Sequence, residues 1–110
     1  MGFLIYGGVQ EYEFEDRTLA HLKVAITGKL RRQESFLMSW VNPAEKGGGR
    51  VSLWLTPTIP LAFRFAGSRS PQLDRNWLQV LNDLSNTTRG LVVVSEEEAK
   101  KHTLEQQQSN

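Results

Sequence analysis

The side chains of this sequence best suited to chemistry are basic, and the chemistry they suit is the binding of anions. Arginine presents a planar set of N–H donors that matches two oxygens of a phosphate or carboxylate, while lysine supplies a point charge. The candidates form a helical set and a second set spread over strands and a turn. They are Arg17, Lys29, Arg31 and Arg32 in the helical set, and Arg50, Arg64 and Arg69 in the second set. Both sets predict contacts with the phosphates of a nucleic acid.

The helical set lies in residues 17–32, which contain no Asp or Glu. On a helical wheel Arg17, His21 and Arg32 lie opposite an apolar stripe, with Lys29 and Arg31 beside them. This placement predicts one exposed, positively charged helix face. An alternative interpretation stays open: the face is simply solvated, and its last cations stabilise the negative end of the helix dipole.

The second set surrounds an aromatic side chain. Trp54 alternates with two leucines in a predicted strand, so an outward-facing indole would offer a stacking surface for a base close to Arg50. In the alternative interpretation Trp54 belongs to the core and Arg69 pairs with a nearby carboxylate. Arg75 is assigned to a structural ion pair of that kind, with Asp74, Asp83 or the acidic hairpin of residues 11–15 as its partner.

Motifs for catalysis, metals or cofactors are missing from the sequence. It contains no cysteine, so neither a thiolate nucleophile nor Cys-ligated zinc is available. His21 and His102 are its only imidazoles. The glutamates of residues 11–15 alternate along a solvated strand face instead of converging. The glycine run 47–49 leads into a strand rather than opening a helix, which predicts a hairpin turn and not a phosphate loop. We therefore expect no catalytic residue, no metal ligand and no cofactor.

The chain of 110 residues has the composition of one globular domain and a formal net charge of +1. So small a net charge gives no long-range attraction to nucleic acid or anionic lipid, and any binding of anions must depend on local charges. The lack of cysteine fits a reducing compartment. Neither an export signal nor a long apolar run is present. We expect a cytoplasmic protein without a membrane partner.

Hydrophobic periodicity predicts an α+β fold with the order ββαβββαβ. Strands are expected at 3–6, 12–14, 35–41, 51–56, 61–65 and 91–94, and helices at 16–32 and near 74–84. This order favours a single antiparallel-rich sheet with two helices packed on one face. The last strand is continuously apolar, which predicts that it inserts between two others.

Three finer expectations concern helix ends and the C-terminus. Asp16 is expected to be the N-cap of the first helix. The second helix is expected to bury Leu73, Trp77, Leu81 and Leu84, with Trp40 and Trp77 as core residues. Bulky apolar side chains almost disappear after residue 95, so residues 1–95 are expected to form a single α+β domain and residues 96–110 a polar, flexible tail.

The stretch from residue 49 to residue 81 resembles a known family. The shared features are Arg50, Trp54, the Thr-Pro-Thr-Ile-Pro-Leu run, Gly67-Ser68-Arg69, Pro71, Leu73, Arg75 and Trp77-Leu78. They are similar to a family of small actinobacterial and actinophage proteins that is essentially one domain of unknown function and is often automatically labelled ATP-dependent DNA ligase. That label implies a lysine nucleophile followed by x-Asp-Gly, and none of the lysines here has that context.

The main hypothesis from the sequence is a non-enzymatic intracellular binding module that contacts nucleic acid through the basic helix face and the arginine-rich turn. The alternative is a protein-interaction or homo-oligomerising module that uses an exposed edge strand or an outward aromatic surface. A third class, a small enzyme, stays open, because the resemblance carries no family mechanism to transfer. The salt dependence of binding distinguishes nucleic-acid binding from protein association. Counterion release weakens nucleic-acid binding as the salt concentration rises, whereas apolar association lacks this effect.

Overall fold

A computed structural model describes residues 1–108 as an α+β fold. Up to the last strand, the order of elements is the predicted one. The strands are β1 (Gly2–Tyr6), β2 (Gln10–Phe14), β3 (Phe36–Val41), β4 (Arg50–Leu55), β5 (Leu61–Arg64) and β6 (Leu91–Val92), and the helices are α1 (Asp16–Arg31), α2 (Arg75–Ser85) and α3 (Glu96–Gln108). A short 3-10 helix, Ala44–Lys46, lies in the loop between β3 and β4.

The strands form two sheets, so the prediction of a single sheet is wrong. One sheet has the order β2-β1-β5 and is antiparallel, and the other has the order β4-β3-β6. Two prolines, Pro57 and Pro60, interrupt the chain after β4, and β5 then pairs with β1 instead of with β4. The final strand β6 runs parallel to β3 at the edge of its sheet and is not inserted between two strands.

Helix α1 presents an apolar stripe to the core, with Leu19, Leu22 and Ile26 fully buried. Asp16 does not cap this helix as predicted, since the N-cap position is occupied by Glu15 and has no side-chain cap. The carboxylate of Asp16 instead accepts hydrogen bonds from the backbone N–H groups of Gly67 at 2.9 Å and Ala66 at 3.1 Å. These two bonds, the one from Gly67 first, lower the pKa of Asp16 below its ordinary value.

Helix α2 begins after Asp74, whose side chain accepts a hydrogen bond from the backbone N–H of Trp77 at 2.9 Å. Trp77 and Leu81 are buried as predicted. Leu73 precedes the helix and is 44% exposed, so its predicted burial is wrong, and Leu84 is only partly buried. Val80, predicted at the margin, is buried. Trp40 is also a core residue as predicted, and its ring contacts those of Tyr12 and Phe14 across the two sheets.

Residues 96–108 form helix α3 where the sequence predicted a flexible tail. Ser95 and Glu98 cap its first turn reciprocally: the Ser95 hydroxyl accepts from the Glu98 backbone, and the Glu98 carboxylate accepts from the Ser95 backbone. Ala99 is fully buried, and the hydroxyl of Thr103 donates to the side chain of Asn76 in α2 at 2.7 Å. Residues 109 and 110, the end of the predicted tail, lie outside the described residues.

Candidate functional site

The predicted basic face of α1 is interrupted by burial. His21 is fully buried and Lys29 is only 4% exposed, so the prediction that both lie on one exposed face is wrong. The imidazole of His21 stacks on Trp77 with ring centroids 4.2 Å apart, and its Nε2 accepts a hydrogen bond from the Asp74 backbone at 2.8 Å. A helical wheel describes one helix in isolation, and here α2 and the segment that precedes it cover part of the polar side.

Four of the seven predicted contact residues pair with carboxylates of the same chain. A cation that already shares its charge with a carboxylate has less to offer to a phosphate. Glu34 receives two of these cations, and Arg32 first and Lys29 second lower the pKa of its carboxyl below the ordinary value. The pairs are Arg17 with Glu96, Lys29 with Glu34, Arg32 with Glu34, and Arg64 with Glu11, at N–O distances of 2.5–3.1 Å.

The other three predicted residues, Arg31, Arg50 and Arg69, are exposed and have no ion-pair partner within residues 1–108. They occupy different elements. Arg31 ends α1, Arg50 begins β4, and Arg69 lies in the turn after β5, where it borders a groove together with Lys23. Of these three, Arg50 is on the same strand face as an exposed aromatic ring.

One face of the sheet β4-β3-β6 is open to solvent in the part of the chain that the structure describes. Because side chains alternate along a strand, β3 and β4 direct one set of residues inward and the other outward. Cross-strand pairing places the outward set in three rows, in which Trp54 lies opposite Leu37 and Arg50 lies opposite Val41. We call this surface the open sheet face; its residues are Leu37, Ser39, Val41, Arg50, Ser52, Trp54 and Val92.

Trp54 presents its indole to solvent at one end of the open sheet face. Its side chain is 54% exposed, which favours the outward-facing interpretation over the core interpretation that the sequence left open, and Leu37 beside it is 37% exposed. The backbone carbonyl of Trp54 accepts a hydrogen bond from the Tyr6 hydroxyl at 2.8 Å. That bond ties β4 to the other sheet, so the strand that carries the indole is held in place while the ring stays free to stack.

Arg50 and Arg89 border a cleft of about 880 Å³ at the other end of the open sheet face. Its floor includes Ser39 and Ser52, whose hydroxyls are hydrogen-bonded to each other at 2.8 Å. Glu98 also lines the cleft, and its carboxylate is engaged with the Ser95 backbone. The cleft therefore contains two arginines without an ion-pair partner in residues 1–108, together with hydroxyl groups that can bind polar atoms.

Arg89 is the residue of this site that sequence reasoning missed. It lies in the turn between α2 and β6, which the sequence identified only as the end of a helix. The parallel pairing of Met38 with Leu91 and of Ser39 with Val92 brings this turn beside β3. The sequence contains no local signal for Arg89 as a binding residue, because its proximity to Arg50 depends on which strands pair.

The described residues do not assemble a metal site or a membrane span. In residues 1–108 no group of three or more His, Asp or Glu side chains is arranged to hold a metal ion. Among the helices of the same residues, none is both long and apolar enough to cross a membrane. The chemistry that the open sheet face offers comes from its indole, hydroxyl and guanidinium groups: stacking, hydrogen bonding and the binding of anions.

Comparison with known proteins identifies a family but no established relative. Neither a curated protein nor a solved structure matches the chain significantly. One family model matches residues 1–96, which include every strand, α1, α2 and the first residue of α3. On that match the chain belongs to the family described as a domain of unknown function, DUF7882.

Proposed function

We propose that this protein is a non-catalytic binding module that takes single-stranded nucleic acid on its open sheet face. The observation that carries this proposal is that β4 presents an exposed indole, Trp54, and a guanidinium, Arg50, on the same face, and that Arg50 has no ion-pair partner in residues 1–108. At about 3.3 Å per residue the two side chains originate about 13 Å apart along the strand, a span that a few nucleotides cover. Arg89 borders the cleft beside Arg50.

Single strands suit this surface better than a duplex. Stacking of an unpaired base on an aromatic side chain contributes about 1–3 kcal/mol, and the bases of a duplex are not free to stack in this way. Two arginines can bind two phosphates, which corresponds to a salt slope of about −1.4 for a single strand. With a formal net charge of only +1, the protein gains little further attraction from its overall field.

The helical set has a different role in this proposal. Arg17, Lys29 and Arg32 serve in ion pairs within the fold, as Arg64 of the second set also does. Arg50 is the predicted contact residue that binds directly. Arg31 and Arg69 lie outside the open sheet face and are not needed for binding there. The proposed ligand is the same as in the sequence hypothesis, a nucleic acid. The proposed contact surface is different: it is the open sheet face and not the basic helix face or the arginine-rich turn.

Fluorescence anisotropy with a labelled oligothymidine at low salt tests the proposal. Trp54→Ala should weaken binding roughly tenfold or more, since it removes the stacking surface. Arg50→Gln should weaken binding and reduce the salt slope by about 0.7, the contribution of one phosphate contact. Arg31→Gln is the matched control, because Arg31 is also an exposed arginine without an ion-pair partner in residues 1–108.

Two results would overturn this assignment. One is the absence of wild-type binding to single-stranded DNA or RNA at low salt. The other is a loss on Arg31→Gln that equals the loss on Arg50→Gln, because that would return the contact to α1. Circular dichroism spectra of the wild type and of the variants show whether each protein is folded, so that a loss of binding is not confused with unfolding.

A second candidate function, association with a protein or with another copy of the chain, is favoured by the apolar part of the same surface. Leu37, Val41 and Trp54 are 37%, 72% and 54% exposed on one sheet face. Burial of such a surface against a partner is driven by the hydrophobic effect and lacks the salt dependence of counterion release. Light scattering that shows a dimer insensitive to salt, and lost on Trp54→Ala, would favour this function.

We also infer that the protein is not a ligase, that it acts in the cytoplasm and that it has an actinobacterial or actinophage origin. Ligase chemistry requires a lysine in a Lys-x-Asp-Gly context to form a covalent adenylate, and none of the lysines has that context. Incubation with ATP and magnesium should leave no labelled AMP on the denatured protein. Retention of label would contradict the inference.

A further inference from the structure

A groove runs between α1 and the segment that follows β5, away from the residues of the open sheet face. Its volume is about 280 Å³, and the side chains that matter to its chemistry are Lys23, Val24, Phe65, Arg69 and Leu73. Val24 is 42% and Leu73 is 44% exposed, and both line the groove. The groove therefore offers apolar surface that the fold itself leaves uncovered.

The groove is preformed, because α1 holds the segment opposite at three points. The carboxylate of Asp16 accepts hydrogen bonds from the backbone of Ala66 and Gly67. Arg17 donates to the carbonyl of Gln72, and His21 accepts from the backbone of Asp74. A wall fixed in this way loses little conformational entropy when a ligand binds.

The charges of the groove are both positive. Lys23 lies with its ammonium 5.8 Å from the centroid of the Phe65 ring, and Arg69 lies in the turn on the other side. Neither cation has an ion-pair partner in residues 1–108, and none of the residues that line the groove is an Asp or Glu. Apolar walls with two uncompensated cations are complementary to an anion that carries an apolar body.

We propose that this groove is a binding site for a small amphiphilic carboxylate, with the carboxylate between Lys23 and Arg69 and the apolar body against Val24, Phe65 and Leu73. The volume of about 280 Å³ lies near the lower limit for small-molecule sites and is too small to seat a helix or strand of a partner protein. The site uses none of the residues of the open sheet face and does not depend on the function proposed for that face.

Titration of the full-length, ¹⁵N-labelled protein with octanoate, followed by amide NMR, tests the site. Saturable shifts are expected at Phe65, Arg69 and Leu73, and the amides of the open sheet face should stay unchanged. Octanamide, which has the same shape without the charge, should bind about tenfold more weakly or worse, as expected for the loss of a charge-assisted hydrogen bond. Lys23→Gln and Arg69→Gln should each weaken octanoate binding by a similar factor, and Arg31→Gln should not.

Each opposing outcome has a clear meaning. Equal affinities for octanoate and octanamide would show an apolar surface without anion recognition and would overturn the proposal. Absence of saturation, or unchanged affinity in both variants, would do the same. A peptide with acidic and apolar side chains that binds the groove at least about tenfold more tightly than octanoate would reassign the site to a protein partner. The NMR spectra of the variants also report directly whether they are folded.

Discussion

Arg17 of α1 and Glu96 of α3 form a two-point ion pair between residues 79 positions apart in the chain. The guanidinium Nε lies 3.2 Å from Oε1 of Glu96, and Nη2 lies 2.8 Å from Oε2. Arg17 also donates to the carbonyl of Gln72. Arg17, a side chain predicted to bind nucleic acid, thus links the start of α1 to the start of α3 and to the segment that precedes α2.

The ion pair predicts a specific pH dependence of stability. The hydrogen bond from Arg17 is the largest cause that lowers the pKa of Glu96 from 4.5 to about 2. A carboxyl whose pKa is depressed in the folded state stabilises the fold above its ordinary pKa, and this contribution is lost as the pH falls from 4.5 towards about 2. Glu96→Gln should therefore be less stable than the wild type at neutral pH, and the difference should shrink across that interval.

Chemical denaturation at several pH values measures this effect. Glu97→Gln is the control, because Glu97 is exposed and has no ion-pair partner in residues 1–108. It also removes one negative charge from the same helix end, so it reproduces any general effect on the dipole of α3. Parallel pH profiles for Glu96→Gln and the wild type would show that the pair contributes nothing to stability.

The docking of α3 leads to a second prediction. Ala99 is fully buried, so Ala99→Asp would place a carboxylate in an apolar contact unless the helix leaves the domain. We expect the free energy of unfolding to fall by about 1–3 kcal/mol. Lys101→Asp, at an exposed position of the same helix, should change it by less than about 0.5 kcal/mol. Equal effects of the two substitutions in urea denaturation would support the sequence-based expectation of a flexible tail.

The sequence predicted elements that local periodicity defines. Alternation in β3 set Met38 and Trp40 on one face, and both are buried, because such a pattern depends on a few neighbouring residues. Alternation in β4 set Trp54 opposite Leu53 and Leu55 but left open which face is inward. Helix α3 was missed although Ser95 and Glu98 form a capping box, since Ala99 and Thr103 supply too little apolar volume to give a visible stripe. Small residues can pack closely, but their hydrophobicity does not reveal that they do.

The sequence could not predict features that depend on long-range pairing. No local pattern distinguishes a β5 that extends the sheet of β4 from one that pairs with β1, and this choice produces two sheets. The burial of His21 and Lys29 depends likewise on what packs over α1. The candidate site was half predicted: the sequence offered Trp54 and Arg50 as candidates, whereas Arg89 requires the parallel pairing of β6 with β3.

His21 provides a third prediction, concerning the start of α2. Because Nε2 accepts from the Asp74 backbone, the hydrogen-bond network assigns the proton of a neutral ring to Nδ1, 2.7 Å from the carbonyl of Arg17. His21→Phe keeps an aromatic ring near Trp77 but leaves the Asp74 N–H without its acceptor. The expected cost is about 1–3 kcal/mol in the free energy of unfolding.

His21→Gln separates the hydrogen bond from the ring. The side-chain oxygen of glutamine can reach the position of Nε2 and accept from Asp74, while the stacking contact with Trp77 is lost. If the Gln variant is more stable than the Phe variant in thermal unfolding, the hydrogen bond to Asp74 contributes more of the stabilisation by His21 than the ring does. The opposite order would show that packing of the ring dominates.

The last prediction concerns the turn that positions Arg89. Gly90 has φ of +76°, and a Cβ at this position would lie 2.3 Å from the carbonyl oxygen of Leu37. Gly48 has φ of +67° with nothing within 4 Å of its Cβ position, so Gly48→Ala incurs only the left-handed backbone cost of about 1–2 kcal/mol. Gly90→Ala adds a steric clash, which in packed regions costs about 1–3 kcal/mol more.

Because the atom that the new Cβ meets belongs to the backbone of β3, relief of the clash in Gly90→Ala requires the turn before β6 to move away from β3. That movement would also displace Arg89 from the cleft beside Arg50. We therefore expect Gly90→Ala to be less stable than Gly48→Ala in urea denaturation and, where it remains folded, to bind oligothymidine more weakly. Equal stability of the two variants would show that the turn yields without strain, and unchanged binding would remove Arg89 from the proposed interface.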